Sequence, residues 1–416
     1  MTWEQVPLGR IIERFEAGVS VRSQDRPASN GEHGVLKVSC VSPLGFRPFE
    51  NKVVLPEELS RLGPSPRRGD VLLTRANTVE LVAMAVTVDR DYPTLHLSDK
   101  HWRVVLSNPQ EDSLGWVKHV VNSTTVRRAL VSRATGTSGS MKNVSQEEFL
   151  KIRVVRPPGD AQQRIAAVLD EFDDAHRELE ALVYAKRRLK RALAQQLLTG
   201  KRRFKEFGSG TDTKPSAFGP IPSSWAYPRV DEIAHEVTER AGSGFAEFAV
   251  VSCSKHRGLV DSEEYFGKRV FSSERANYKV VRAGQFAYPS NHLEEGSIGL
   301  LQHRKVAVVS PIYTVFEASE QVVPEFLFAL FKTHQSRQMF AARTNASVNR
   351  RGSMRWKQFG TLHVPLPPKP EQGQIASILA ELDREIDLLE RLRGSLEMQR
   401  RGVAELLLNG KVPVPS

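Results

Sequence analysis

The chain has 416 residues, 40% of them hydrophobic and 26% charged, with 59 Lys and Arg against 48 Asp and Glu for a net charge of +11. That length suits two or three domains, and the balance is that of a core-forming chain rather than a disordered one. No apolar run reaches the roughly 18–20 residues that span a bilayer, two cysteines (Cys40 and Cys253) exclude a disulfide framework, and the surplus of cations points to a polyanionic partner. The opening MTWEQVPLGRIIERFEAG has no basic segment followed by an apolar one, so no secretory signal is expected and a cytoplasmic location is.

Taken in chain order, Trp3 opens a region of short strands bounded by Gly, Pro, Asn and Asp: GVLKVSCVSP, GDVLLTRAN, LVAMAVTVD and KHWRVVLS. Each cysteine sits in the phrase VSC, read as a small buried side chain on a strand. SLGWVKHVVNSTTVRRALVSRA reads as one amphipathic helix, followed by the loop TGTSGSMKN. Pro157-Pro158 then starts a long helix that Gly200 closes. Its apolar or long-stemmed residues fall at Ile165, Leu169, Phe172, His176, Leu179, Val183, Lys186, Lys190, Leu193 and Leu197. Steps of four and three alternate, the seam of a coiled coil. Residues 202–224, rich in Gly, Ser and Pro, read as a linker. After Trp225 come the strands FAVVSCS, GQFAYPSN, SIGLLQH and KVAVVSPIYTVF, the helix PEFLFALFKTHQSRQMFAAR and the loop TNASVNRRGSMR. Pro367-Pro368 opens a second long helix, closed by Gly410, with its seam at Ile375, Leu379, Leu382, Ile386, Leu389, Arg393, Leu396, Arg400, Val403 and Leu407.

The second half repeats the first. At an offset of 210 residues the match runs without a gap from about Val117 to Lys201, pairing Arg127 with Arg337, Phe149 with Phe359, Gln162 with Gln372 and Asp173 with Asp383. The ends of the halves are alike and the middles have diverged, as expected of one scaffold carrying two different recognition surfaces. Both seams turn polar near the middle, which weakens a pair of helices but fixes its register and direction. The two seams are expected to bury each other, and the symmetry of the repeat favours an antiparallel pair. The expected fold is α+β: two tandem-repeat globular domains separated by two long antiparallel coiled-coil helices with pseudo-two-fold symmetry. The expected boundaries are 1–156, first recognition domain; 157–201, first helix; 202–224, linker; 225–366, second recognition domain; and 367–411, second helix.

Enzyme motifs are missing: no phosphate-binding G-x-x-x-x-G-K-[ST] loop, no G-x-S-x-G elbow, no H-E-x-x-H and no C-x-x-C. No metal site or cofactor is expected; His96 and His101 are spaced for neither one helix face nor one strand face. The run Lys186–Lys205 holds nine cations, equally readable as a solvated helix face. More telling are loops rich in the side chains that hold phosphates and read base edges. The first half offers Arg75, Asn77, Thr78, Arg133, Thr137, Ser138, Lys142 and Asn143; the second offers Tyr288, Asn291, His292, Arg343, Asn345, Asn349, Arg350 and Arg351.

VRPPGDAQQRIAAVLDEFD…LLTGK, its echo VPLPPKPEQGQIASILAELD…LLLNGK, and the phrases GDVLLTRANTVELV, LSDKHWRVVL and ATGTSGSMKNVSQEEF resemble the DNA-specificity (S) subunit of type I restriction-modification systems. The likeness covers essentially the whole chain; PPGDAQQ departs slightly from the more usual PPKPEQ form. It implies a non-catalytic subunit whose two recognition domains each read half of a split, asymmetric double-stranded DNA site. It also implies that the helices space the half-sites and dock two methyltransferase (M) subunits, joined by restriction (R) subunits where a system has them. A coiled-coil adaptor indifferent to DNA is the alternative, distinguished by scattered rather than clustered Arg and Asn loops. A nuclease or methyltransferase in its own right is disfavoured by the missing motifs.

Overall fold

The computed structural model describes residues 3–135, 142–208, 212–242, 244, 248–255, 257–269, 271–272, 274–345 and 353–414. They fall into two compact units, Met1–Leu182 with Leu389–Ser416, and Val183–Leu388.

At the centre of the first unit lies an antiparallel sheet in the order Ala85–Thr87, Val71–Thr74, His101–Leu106, Ile12–Ala17. The second unit has the same sheet in the same order: Gly299–Leu300, Phe286–Pro289, Tyr313–Ala318, Ala234–Val237. Val71–Thr74 and Phe286–Pro289 are buried along their whole length, as strands covered on both faces are. Around this common sheet the units differ. The first adds a four-stranded layer in which Leu95–His96 runs parallel to Gly34–Leu36. The second has instead the separate pairs Val251–Ser254 with Gly258–Asp261 and Lys279–Arg282 with Val306–Val309. Phe149 and Phe359, matched by the repeat, are both fully buried: Phe149 packs edge-on to Phe15 at 5.2 Å, and Phe359 lies 4.8 Å from Tyr288.

Two expectations are corrected. Val38–Cys40 is a 3-10 turn rather than a strand, closed by Cys40 N–H donating to the Lys37 carbonyl at 2.9 Å; Cys253 does lie on a strand. Each amphipathic run is two helices, Leu114–Asn122 with Thr124–Arg133, and Pro324–Phe331 with His334–Asn345. The breaks come at hydroxyl residues that serve both neighbours. Ser123 donates to the Val120 carbonyl and accepts from Val126 N–H, and Thr333 donates to the Leu330 carbonyl and accepts from Ser336 N–H. A side chain that caps one helix and satisfies the end of another offers the backbone an alternative to continuing.

The long helices are Gly159–Leu197 and Lys369–Leu408, each starting directly after its Pro-Pro. At about 1.5 Å per residue each is roughly 60 Å long. A buried glutamine ties down each start. Gln162 Nε2 donates to the Pro157 carbonyl at 2.9 Å while its Oε1 accepts from Ser113 N–H at 2.9 Å; Gln372 does the same with the Pro367 carbonyl and Val323 N–H, both at 2.8 Å. The PP-x-x-x-Q signature is therefore a clamp that satisfies backbone groups at two helix starts at once. Gly200 and Gly410 end the helices with φ of 70° and 64°. A Cβ at Gly410 would stand 2.8 Å from the Trp3 ring, and one at Gly200 would stand 3.2 Å from Trp225.

Within each unit the helices run antiparallel. In the first, Asp173 and Glu180 pair with Arg400 and Arg393; in the second, Lys186 pairs with Glu385 at 2.6 Å and Lys190 with Asp383. The polar seam positions Lys186, Lys190, Arg393 and Arg400 thus each meet a carboxylate on the opposite helix. Either side of them the seam is apolar, with Ile165, Leu169 and Leu407 buried in the first unit's core and Leu197, Ile375 and Leu379 in the second's.

Candidate nucleic-acid interface

In the first unit the buried strand Val71–Thr74 delivers its chain to an exposed Arg75. Directly after it, Ala76–Asn77 pairs antiparallel with Lys142–Asn143, putting Lys142 opposite Asn77 and Asn143 opposite Ala76. Val144 N–H donates to the Arg75 carbonyl at 3.1 Å, and Thr135 and Asn143 exchange backbone bonds of 2.8 and 2.9 Å. Two stretches some 65 residues apart in the sequence, 75–78 and 142–143, are thereby joined into one polar surface. Asn77 Oδ1 accepts from Thr78 N–H at 2.8 Å, while its buried Nδ2 has no hydrogen-bond partner among the described residues. Arg133, exposed at the end of its helix, donates to the Ala129 carbonyl at 3.0 Å and lies 3.5 Å from the Glu148 carboxylate. Thr137 and Ser138 lie outside the described residues.

The second unit builds the corresponding surface from the end of Phe286–Pro289. Met354 N–H donates to the Ser290 carbonyl at 2.7 Å, the counterpart of the Val144–Arg75 bond. Asn291 is half-buried, and His292 is exposed with a left-handed φ of 67°, its Nδ1 3.4 Å from Glu295 Oε1. Arg343 is exposed near the end of its helix and Asn345 is the last residue of that helix. Asn349, Arg350 and Arg351 lie outside the described residues. Tyr288 is corrected: it is fully buried against Phe359 and Phe316, and burial pushes its phenol pKa up, so it belongs to the core rather than to a contact surface. A continuous apolar strand facing two layers buries every side chain on it, and Tyr288 is inside that strand.

The basic run after Lys186 is largely engaged. Lys186 and Lys190 are paired across the helices, and Arg203 holds Glu371 through two bonds of 2.8 Å, which makes much of that run structural. His119, Asp170 and Asp173 converge closely enough to suggest a cation site, but Lys118 and Arg400 already bond those carboxylates. Among the described residues no helix is long and apolar enough to cross a membrane.

A sequence profile described as a type I restriction modification DNA specificity domain matches residues 261–398. The chain is 29% identical over 171 residues to the type I restriction enzyme EcoEI specificity subunit of Escherichia coli, an alignment covering 41% of this chain and 29% of that protein. To the type I restriction enzyme MjaVIII specificity subunit of Methanocaldococcus jannaschii it is 23% identical over 307 residues, 68% of this chain and 67% of the relative. Among solved structures, the type I restriction-modification S subunit from M. genitalium aligns with a TM-score of 0.62 at 14% identity, covering 98% of this chain and 96% of that one. A chain from a structural study of complex assembly and conformational transition in the type I R-M system aligns at 0.53 with 17% identity, covering 99% and 98%. These likenesses bear out the α+β fold with its pair of long helices.

Proposed function

We propose that the chain belongs to the type I restriction-modification DNA-specificity family and that it reads double-stranded DNA at two separated, unlike blocks, one for each unit. Residues 1–156 and 225–366 are assigned one block each. The contacts are assigned to Arg75, Asn77, Thr78, Arg133, Lys142 and Asn143 in the first unit and to Asn291, His292 and Arg343 in the second. Methyltransferase subunits, and restriction subunits where the system has them, supply the chemistry, and the long helices carry their docking and the spacing between blocks. The cytoplasm is the assigned location.

The observation that carries this reading is the doubled loop. The same sheet position ends in a polar loop backed by the same hydrogen bond, Val144 to Arg75 and Met354 to Ser290, and the side chains displayed there differ. Equal scaffolds with unequal side chains suit an asymmetric target, since a protein of two identical halves reads a palindrome. The net charge of +11 suits a phosphate backbone.

The test is to express the chain with its methyltransferase subunit and map methylated bases across the host genome. A motif of two blocks with a fixed gap is expected. Exchanging residues 1–156 for those of a relative should change one block and leave the other; a change in both, or in neither, would overturn the assignment.

A further inference from the structure

Arg127 and Lys332 are cations that no carboxylate pairs with among the described residues. Arg127 gives Nη1 to the Val82 carbonyl and Nη2 to the Glu80 carbonyl at 2.5 Å. Lys332 Nζ donates to the carbonyls of Gly296 at 2.8 Å, Lys255 at 3.1 Å and Ser254 at 3.4 Å. Withdrawing a charge from water without a counter-ion is unfavourable, and burial accordingly lowers the pKa of both, that of Lys332 to about 8. A fold that keeps such a charge twice is using it for something other than bulk stability.

Each cation holds the corresponding loop of its unit, and Lys332 ties that loop, through Gly296, to the turn at Ser254 and Lys255. Glu80 and Val82 follow Asn77 and Thr78; Gly296 follows Asn291 and His292. Both cations stand on the broken helix pair, and each has a second grip beside it, set by the repeat. Asn122, the counterpart of Lys332, fastens the far end of the first loop by exchanging bonds of 2.8 and 3.0 Å with the Ala85 backbone. Arg337, the counterpart of Arg127, lies against Gly296, where a Cβ would stand 3.1 Å from its Cδ. The two loops also hold the only non-glycine residues with positive φ among the described residues, Ala83 at 58° and His292 at 67°. Left-handed backbone at a residue with a Cβ persists only where its surroundings over-determine it, and such strain gathers at functional sites.

We propose that Arg127 and Lys332 are positioning residues for DNA recognition, each fixing the shape of the reading loop of its own unit. This rests on the function proposed above. Neither side chain reads a base; each holds in place the backbone from which the reading residues project.

The full chain, assembled with its methyltransferase subunit, is tested with Arg127→Met and Lys332→Met, mapping methylated sites at single-base resolution and recording thermal melting. The exchange of residues 1–156 identifies which block belongs to which unit. Arg127→Met is expected to raise methylation of sites mismatched in the first unit's block about tenfold or more and to leave the other block as it was; Lys332→Met is expected to do the reverse. Arg127→Lys and Lys332→Arg, which keep the charge, should recover most of the discrimination. A lowered melting temperature with both blocks still read accurately, or equal relaxation of both blocks, overturns the proposal. Should a Met variant fail to assemble, Arg127→Gln or Lys332→Gln, retaining an amide donor, is judged by the same criterion. If the unaltered chain directs no two-block methylation, the functional reading itself has failed; if it does and the variants do not separate the blocks, only this inference has.

Discussion

Where the helix Leu114–Asn122 docks on the long helices, the first unit gathers Lys118, His119, Asp170, Asp173 and Arg400 into one bonded network. The second unit has Phe328, Ala329, Ala380, Asp383 and Lys190 at the same repeat positions, so a single ion pair survives and the rest is apolar. It has a polar network elsewhere: Glu371 takes two bonds from Arg203 and a third from the Trp225 indole at 3.1 Å, at a position where the first unit has Ala161. The glutamine clamp, by contrast, makes the same pair of backbone bonds in both, Gln162 adding one to the Asp112 carboxylate. Side chains that satisfy backbone are held fixed by geometry, because the backbone does not change. Networks of side chain with side chain can be replaced by packing of similar volume at little net loss.

The largest expected effect tests that relocated network. Glu371→Ala strands the buried Arg203 guanidinium and should cost the second unit about 3–5 kcal/mol, read as faster amide hydrogen exchange throughout residues 225–366 with residues 1–156 unaffected. Next, Gln162→Leu and Gln372→Leu each leave a buried N–H and a buried carbonyl unpaired and should each cost about 1–3 kcal/mol, nearly equally, by denaturant titration. A clear inequality between them would mean that the clamp is not one device used twice. Asp173→Ala, which frees Arg400 and takes one of the two carboxylates from Lys118, should destabilise by about 1–2 kcal/mol, against less than about 1 kcal/mol for Asp383→Ala in its mostly exposed pair.

Acid gives the smallest and most selective contrast. Burial lowers the His119 pKa below 6.5, opposed by its bond to Asp170. Burial raises the Asp170 carboxyl, but the bonds and charges of His119 and Lys118 outweigh it and hold it at about 2, below its ordinary 3.8. Folded His119 stays neutral where the unfolded chain takes a proton, so the first unit loses stability as pH falls below 6.5. Asp170 contributes stability above pH 3.8 that is lost as pH falls toward 2. Hydrogen exchange, corrected for the intrinsic pH dependence, should show helix Leu114–Asn122 loosening before Pro324–Phe331. Equal loosening would remove the His119 network as the cause.

Much of this frame was legible in the sequence because it rests on periodicity and on punctuation. The two seams, the Pro-Pro starts and the terminal glycines each follow from a local rule, and the repeat vouched for all of them. Ser123 and Thr333 were hidden because an amphipathic run continues through them; only the hydroxyl at a repeat-matched position signals the break. Tyr288, beside Ser290 and Asn291, reads as polar in the sequence, but the neighbouring strand covers it. The repeat matches Arg127 to Arg337, yet the partners of Arg127 are backbone carbonyls 45 and 47 residues earlier, which no side-chain pattern announces.

On each long helix the bonded acids precede the bonded bases: Asp173 and Glu180 come before Lys186 and Lys190, and Asp383 and Glu385 before Arg393 and Arg400. A rod written in that order is the electrostatic complement of its own reversed copy, while two copies laid side by side in the same sense would set like charges against like. Copying such a rod therefore creates a matching mate in one step, with no new charge to be invented. Asp173–Arg400 and Asp383–Lys190 are one bond made twice over, the imprint of that step.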